Sequence, residues 1–200
     1  MDSLSWDERY RGDEFVWRTE PNQFLVAEVA DLPPGRALDV ACGEGRNAVW
    51  LATRGWQVTG ADFSPVGLTK ARRLAVEHGV EVDWVEADVV EWDPPAGAFD
   101  LVIVFYLHLP SDDRHRVMVH VQKALAAGGT LLVVGHDTSN LMGGYGGPQD
   151  PTVLFTPEQV ASDLAELRIV RADHVRRDVD TSQGRRVAID ALVRAVKPSK

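Results

Sequence analysis

A single cysteine, Cys42, is all the thiol chemistry this 200-residue chain contains, so no internal disulfide can staple it. It also lacks any apolar run near the roughly eighteen residues that a membrane span needs, and any signal-type hydrophobic stretch. Cations are short as well: 21 Lys and Arg stand against 30 Asp and Glu, for a formal charge of -9. That balance disfavours a broad nucleic-acid footprint, because neutralising phosphates requires clustered Lys and Arg. The small basic pairs Arg176-Arg177 and Arg185-Arg186 read as solvated strand ends. What is abundant is core material. A hydrophobic content of 44% can bury one large core, and nothing suggests a second. The expectation is one cytoplasmic domain over residues 1–200, with no nucleic-acid, membrane or metal partner.

The segment from Arg36 to Leu51, R-A-L-D-V-A-C-G-E-G-R-N-A-V-W-L, runs an apolar strand into a glycine turn and then into a helix. Gly43 and Gly45 allow a sharp turn and a close approach of backbone to ligand, and the helix that follows points free N–H groups into the same space. This is the layout of a nucleotide-type cofactor site. Asp39 is costly to bury near the end of such a strand, so a positive charge or several donors are expected around it. Gly43, Gly45 and Ala48 also satisfy the dinucleotide pattern G-x-G-x-x-A, so the glycines alone leave the cofactor open.

Spacing narrows the choice. A second apolar strand, 56–61, ends in Asp62, and a third, 82–87, ends in Asp88. Asp62 suits ribose hydroxyls, which a carboxylate can accept bidentately, and Asp88 suits an exocyclic adenine amine. Phe63 and Val89, each one residue further on, are placed to sandwich the base. Further along, 99–105 is a near-continuous apolar strand, 112–127 a helix, and 130–135 a strand after Gly128-Gly129. Residues 21–30 and 46–54 also read as helices. Thr156-Pro157-Glu158-Gln159 combines a capping box with proline at the first helical position, which predicts a helix from Pro157 to about Leu167. Two strand-like runs, 168–176 and 185–196, meet at a polar turn with no helix between them and should pair antiparallel. In the second, Val187, Ile189, Ala191 and Val193 share the face expected to be covered.

D-V-A-C-G-E-G, the two strand-end acids and the A-A-G-G-T-L-L-V-V run at 126–134 together resemble the class I S-adenosylmethionine-dependent methyltransferases. Within that class, G-E-G-R-N-A with an N-terminal W-D-E-R-Y is similar to small tellurite-resistance and thiopurine-type methyltransferases. The resemblance implies an α/β, Rossmann-like, mostly parallel seven-stranded sheet with helices on both faces and a C-terminal antiparallel hairpin. It also implies S-adenosyl-L-methionine as cofactor and S-adenosyl-L-homocysteine as product. The cofactor contacts it implies are Asp39, Ala41, Gly43, Gly45, Asn47, Asp62, Phe63, Asp88, Val89 and Phe105. Residues 1–20 become a cap in which Trp6 and Tyr10, four apart on one helical face, cover the sulfonium, and Arg18 holds the methionyl carboxylate. The class modifies many unrelated molecules, so it does not name the acceptor.

The remaining segments are assigned to a small-molecule acceptor, an O-, S- or metalloid nucleophile. The connection 137–155 holds Gly143-Gly144-Tyr145-Gly146-Gly147 and is read as a flexible substrate-side loop, either a mobile lid or a disordered insertion. Methyl transfer is an in-line displacement, so alignment comes first and a base is needed only if the acceptor must lose a proton. His108 after the fourth strand and His136 after the fifth are the candidates, expected to titrate near neutrality. Asp137 need not orient His136, because neighbours on an extended chain point to opposite faces. Two other readings stay open: an NAD-type oxidoreductase, and a protein that binds the cofactor without catalysis.

Overall fold

Alternating apolar strands and amphipathic helices fold into a doubly wound sheet; the computed structural model describes residues 3–199. Five parallel strands come first: β1 (Arg36–Val40), β2 (Gln57–Asp62), β3 (Asp83–Glu86), β4 (Phe99–Phe105) and β5 (Leu125–His136). The chain ends in a hairpin of β6 (Arg168–Thr181) and β7 (Gly184–Val196). The spatial order is β3-β2-β1-β4-β5-β7-β6, with β7 antiparallel to both neighbours. The order reverses between β1 and β4, and the crevice beyond the strand ends at such a reversal is where open α/β sheets bind ligands.

Alternation along β1 shows how the two cores form. Leu38 and Val40 face one cluster, with Val117, Met118 and Val121 of α5 (Ser111–Ala124) and Val160 of α7 (Pro157–Asp163). Ala37 faces the other, with Leu25 of α2 (Gln23–Glu28) and Ala48 and Leu51 of α3 (Arg46–Thr53). Asp39 shares the parity of Ala37, so its carboxylate enters this second, otherwise apolar layer. α4 (Pro65–Glu77) packs beside α3 and carries α1 (Ser3–Tyr10) on its outer side.

Several boundaries move for local reasons. α2 begins at Gln23, not at proline 21, because the Asn22 side chain accepts from the Phe24 N–H and serves as its cap. α5 stops at Ala124, where Leu125 turns extended and β5 begins. The Thr156 capping box forms with both reciprocal bonds, yet α7 ends at Asp163, four residues short of the expected stop. β7 is covered on both faces, since Ala188, Asp190 and Leu192 are as buried as Ala191 and Val193.

Candidate active site

The glycine turn is closed by the acid at the end of β2. Asp62 Oδ2 accepts from the Gly43 N–H at 2.8 Å and Oδ1 from the Ser64 N–H at 2.9 Å, so one carboxylate ties the β1 turn to the start of α4. Each oxygen keeps acceptor capacity for a ribose hydroxyl. Burial raises the Asp62 carboxyl, opposed by those backbone bonds. Three residues of the turn have left-handed backbone, Ala41 (φ 58°), Gly43 (φ 54°) and Gly45 (φ 81°). Gly45 answers a packing need: a Cβ there would lie 2.7 Å from both Ala71 and Trp84.

Asp39 is 2% exposed, and its Oδ2 has no hydrogen-bond partner among the described residues. The positive charge expected around it is reduced to a half-buried Arg46, with one backbone bond from Ala48. Burial, with the nearby Asp62 charge, pushes its carboxyl up to about 8. The folded protein therefore holds a proton on Asp39 that the unfolded chain releases near pH 4. Between about pH 4 and 8 this proton makes stability fall as pH rises, by up to about 1.4 kcal/mol per pH unit. The contribution is complete below pH 4 and lost through pH 8. Asp39→Asn should flatten that part of the curve; equal pH slopes of unfolding in the variant and the wild type between pH 5 and 8 would contradict the protonated form.

The other expected cofactor residues scatter more widely. Trp6 and Tyr10 share a face, with ring centroids 5.3 Å apart, and the Tyr10 hydroxyl lies over Gly43, 2.9 Å from where a Cβ would stand. Arg18 is exposed, outside this contact. Asn47 is buried and accepts from the Asn22 N–H, so it holds the entry to α2. Asp88 is exposed and accepts from the Val90 N–H, opening a turn after β3. Val89 is buried in the core, Phe63 half-buried at the start of α4, and Phe105 buried as the last residue of β4. The structure thus brings Tyr10, Gly43 and Asp62 together, with Asp39 near Asp62, and leaves Arg18 and Asp88 exposed.

The two histidines separate in chemistry. His108 Nε2 accepts the His136 backbone N–H at 3.0 Å and its ring also bonds the Tyr106 backbone, so its ring is engaged by backbone. Burial, with His136 close by, lowers it to about 4 rather than leaving it near neutrality. His136 stacks on His108 at 5.3 Å and presents Nδ1 to Asp190 Oδ1 at 3.1 Å. The two atoms lie within ion-pair distance, and neither has a hydrogen-bond partner among the described residues. Asp137 instead bonds Ser139 and His174, as opposite pointing of neighbours requires.

Asp190 organises a cluster that sequence reasoning missed. Its Oδ2 accepts from the Tyr106 hydroxyl and from Arg177 Nε, both at 2.8 Å, while Asn22 Nδ2 donates to the Tyr106 oxygen. Burial raises the Asp190 carboxyl, but the bonds from His136 and Arg177 and the Arg177 charge outweigh it and hold the group below its ordinary value. Arg177 is therefore no solvated strand end. Tyr106, directly after β4, is left-handed at φ 55°, a strained position for a bulky residue. The readable signal was Asp190 itself, an acid inside the apolar run V-A-I-D-A-L-V. The same argument that singled out Asp39 applies to it.

Residues 137–155 are largely structured. They contain the short helix α6 (Asn140–Gly143) and a 3-10 turn at Pro151–Val153. Buried Asn140 pins them, donating to Gly146 O and accepting from the Ile189 N–H of β7. Gly147, at φ 77°, lies flat on His136: a Cβ there would come within 2.6 to 2.8 Å of its ring.

Residues 37–129 match the family described as "Methyltransferase domain". A demethylmenaquinone methyltransferase of Thermus thermophilus is 40% identical over 125 residues, covering 62% of this chain and 55% of the relative. That match and this relative support reading the chain as a class I S-adenosylmethionine-dependent methyltransferase. Two solved structures share its fold. TehB from Haemophilus influenzae superposes with TM-score 0.74 at 14% identity, over 98% of this chain and 66% of that one. The N-methyltransferase NodS from Bradyrhizobium japonicum, solved with S-adenosyl-L-homocysteine, gives 0.74 at 19% identity over 98% of both chains. The chain spans about half the length of the curated relatives it matches, and their names range over quinone, aconitate and ribosomal RNA methylation. The turn fits this family's methyl donor: a carboxylate with spare acceptor capacity closes it, and Asp39 Oδ2 is buried and unpartnered beside it.

Proposed function

We propose that this chain is a cytoplasmic enzyme that transfers a methyl group from S-adenosyl-L-methionine to a small acceptor seated over Tyr106 and His136. The supporting observation is the His136–Asp190 pair, set with Tyr106 and Arg177 at the ends of β4 and β5, across the sheet reversal from the glycine turn. The cofactor, when bound, supplies an electrophilic methyl on a sulfonium. Gly43, Asp62 and Tyr10 hold it, and the acceptor's nucleophilic atom must lie in line with that methyl. Asp190, kept ionised, fixes the proton of His136 on Nδ1, which leaves the Nε2 lone pair to take a proton from a hydroxyl or thiol acceptor. His108 sets the height of this ring through the His136 backbone, and Tyr106 and Arg177 keep Asp190 in place.

The Gly147 segment covers His136 on this reading and shields the reacting pair from water. Gly147→Ala would drive a Cβ into the ring and force an alanine into left-handed backbone, a strain of about 1–2 kcal/mol. Turnover should fall while affinity for S-adenosyl-L-homocysteine stays unchanged. Unaltered turnover would remove the segment from the acceptor site.

The net charge of -9 supports a small acceptor over ribosomal RNA. Incubation with methyl-labelled cofactor and, separately, a phenol, a thiol, a carboxylic acid, tellurite and ribosomal RNA tests the assignment. Label is expected in a small acceptor; label in RNA alone would overturn it.

A further inference from the structure

The Glu of the glycine turn has a role that neither the cofactor contacts nor the acceptor cluster uses. Glu44 is 4% exposed between Gly43 and Gly45, and a carboxylate buried there is costly unless several donors meet it. Three do. Its Oε1 accepts the Val16 N–H and Lys70 Nζ, both at 3.0 Å, and its Oε2 accepts the Trp17 N–H at 3.1 Å. Lys70 Nζ, equally buried, also donates to the Glu14 carbonyl at 2.6 Å. One helical turn on, Arg73 donates to the Asp13 carbonyl at 2.9 Å and lies 4.8 Å over the Phe15 ring.

Residues 13–17 are thus held to the turn and to α4 mainly through their backbone. The path of this strap is specified, whatever side chains it carries outward. It is the continuation of α1, whose last residue, Tyr10, lies over Gly43. The turn that takes the cofactor on one side therefore grips the segment that covers it on the other.

We infer that Glu44, with Lys70, is a latch: a positioning residue that holds the 13–17 strap and Tyr10 closed over bound cofactor and so sets how slowly the cofactor leaves. This rests on the reading of the turn as the cofactor site. Glu44 touches no reacting atom in this role. Its effect passes through the strap, and it acts on dissociation, because the strap closes after the ligand is in. Glu44→Gln removes the charge and replaces one acceptor oxygen by a donor, so the Val16 and Trp17 amides cannot both be satisfied. Lys70→Met alone leaves a buried, unpaired carboxylate and should be more harmful to stability than the double change, which removes both charges.

The test is stopped-flow binding of S-adenosyl-L-homocysteine, read by intrinsic tryptophan fluorescence, on the wild type, Glu44→Gln and the Glu44→Gln/Lys70→Met pair. Dissociation should accelerate about tenfold or more in both variants, with association equal or faster. A role confined to stability would instead lower the melting midpoint and leave dissociation unchanged, which overturns the latch. A second measurement needs no variant. Hydrogen exchange at the Val16 and Trp17 amides of the wild type should slow when S-adenosyl-L-homocysteine is added, and equal exchange would also overturn it. Failure of the wild type to bind S-adenosyl-L-homocysteine at all would refute the cofactor reading beneath the proposal, whereas normal wild-type binding with unaltered variant kinetics refutes the latch alone.

Discussion

Replacing His136 by asparagine should lower turnover on a hydroxyl or thiol acceptor by about 100- to 10,000-fold, the range of a positioned general base, and leave affinity for S-adenosyl-L-homocysteine unchanged. The expectation follows from the 3.1 Å approach of Nδ1 to a buried, ionised Asp190, which on the proposed reading leaves Nε2 to the acceptor. Asp190→Asn should reproduce much of the loss, because an amide does not fix the Nδ1–H tautomer and no longer balances Arg177. The two residues act as one unit, so the double variant should be little worse than His136→Asn alone. Steady-state rates across pH check this. A pH profile shared by the wild type and His136→Asn, with equal turnover, would show that the acceptor arrives already ionised and that alignment alone suffices.

Asp62→Ala should weaken cofactor binding by about 1–3 kcal/mol, or roughly 5- to 150-fold in Kd, the range for leaving buried donors unpaired. Two effects combine in that number. The carboxylate accepts from Gly43 and Ser64, so its loss loosens the turn, and it offers remaining lone pairs to ribose. A ribose analogue separates them: 2′-deoxy-S-adenosyl-L-homocysteine should bind the wild type more weakly than the parent compound, while Asp62→Ala should scarcely distinguish the two. Calorimetric titration of both ligands against both proteins gives all four values. Equal discrimination by wild type and variant would remove Asp62 from the ribose contact.

Most of the fold was legible because strand, turn and helix patterns agree with one another from Arg36 to Gly135. The absence of a helix between the last two strands also predicted β6 and β7 correctly. The site was legible in part. Asp62 and the glycine turn come from one contiguous stretch and its nearest strand end, so local spacing finds them. Asp190 carried the same signature as Asp39, an acid in an apolar strand, but the alternation of Val187, Ile189, Ala191 and Val193 suggested that its face was open. In fact α2 lies against the side of Leu192 and α7 against the side of Ala191 and Val193, so both faces are covered and that acid becomes a buried, partnered group. Arg177 was hidden for a related reason, since a basic pair on an edge strand looks solvated until the strand twist lays one member over Tyr106. Glu44 is not singled out by the sequence. Its partners lie 26 to 28 residues away in the chain, and no local pattern encodes them. The histidines show the limit from the other side: position in sequence marks both, but only tertiary contacts tell which ring nitrogen is free.

The most direct test of the central claim is calorimetric titration of the protein with S-adenosyl-L-homocysteine, with NADH titrated in parallel under the same conditions. The site geometry predicts micromolar, one-to-one binding of S-adenosyl-L-homocysteine and no heat from NADH. Binding of NADH alone would contradict it and return the G-x-G-x-x-A pattern of Gly43, Gly45 and Ala48 to a dinucleotide.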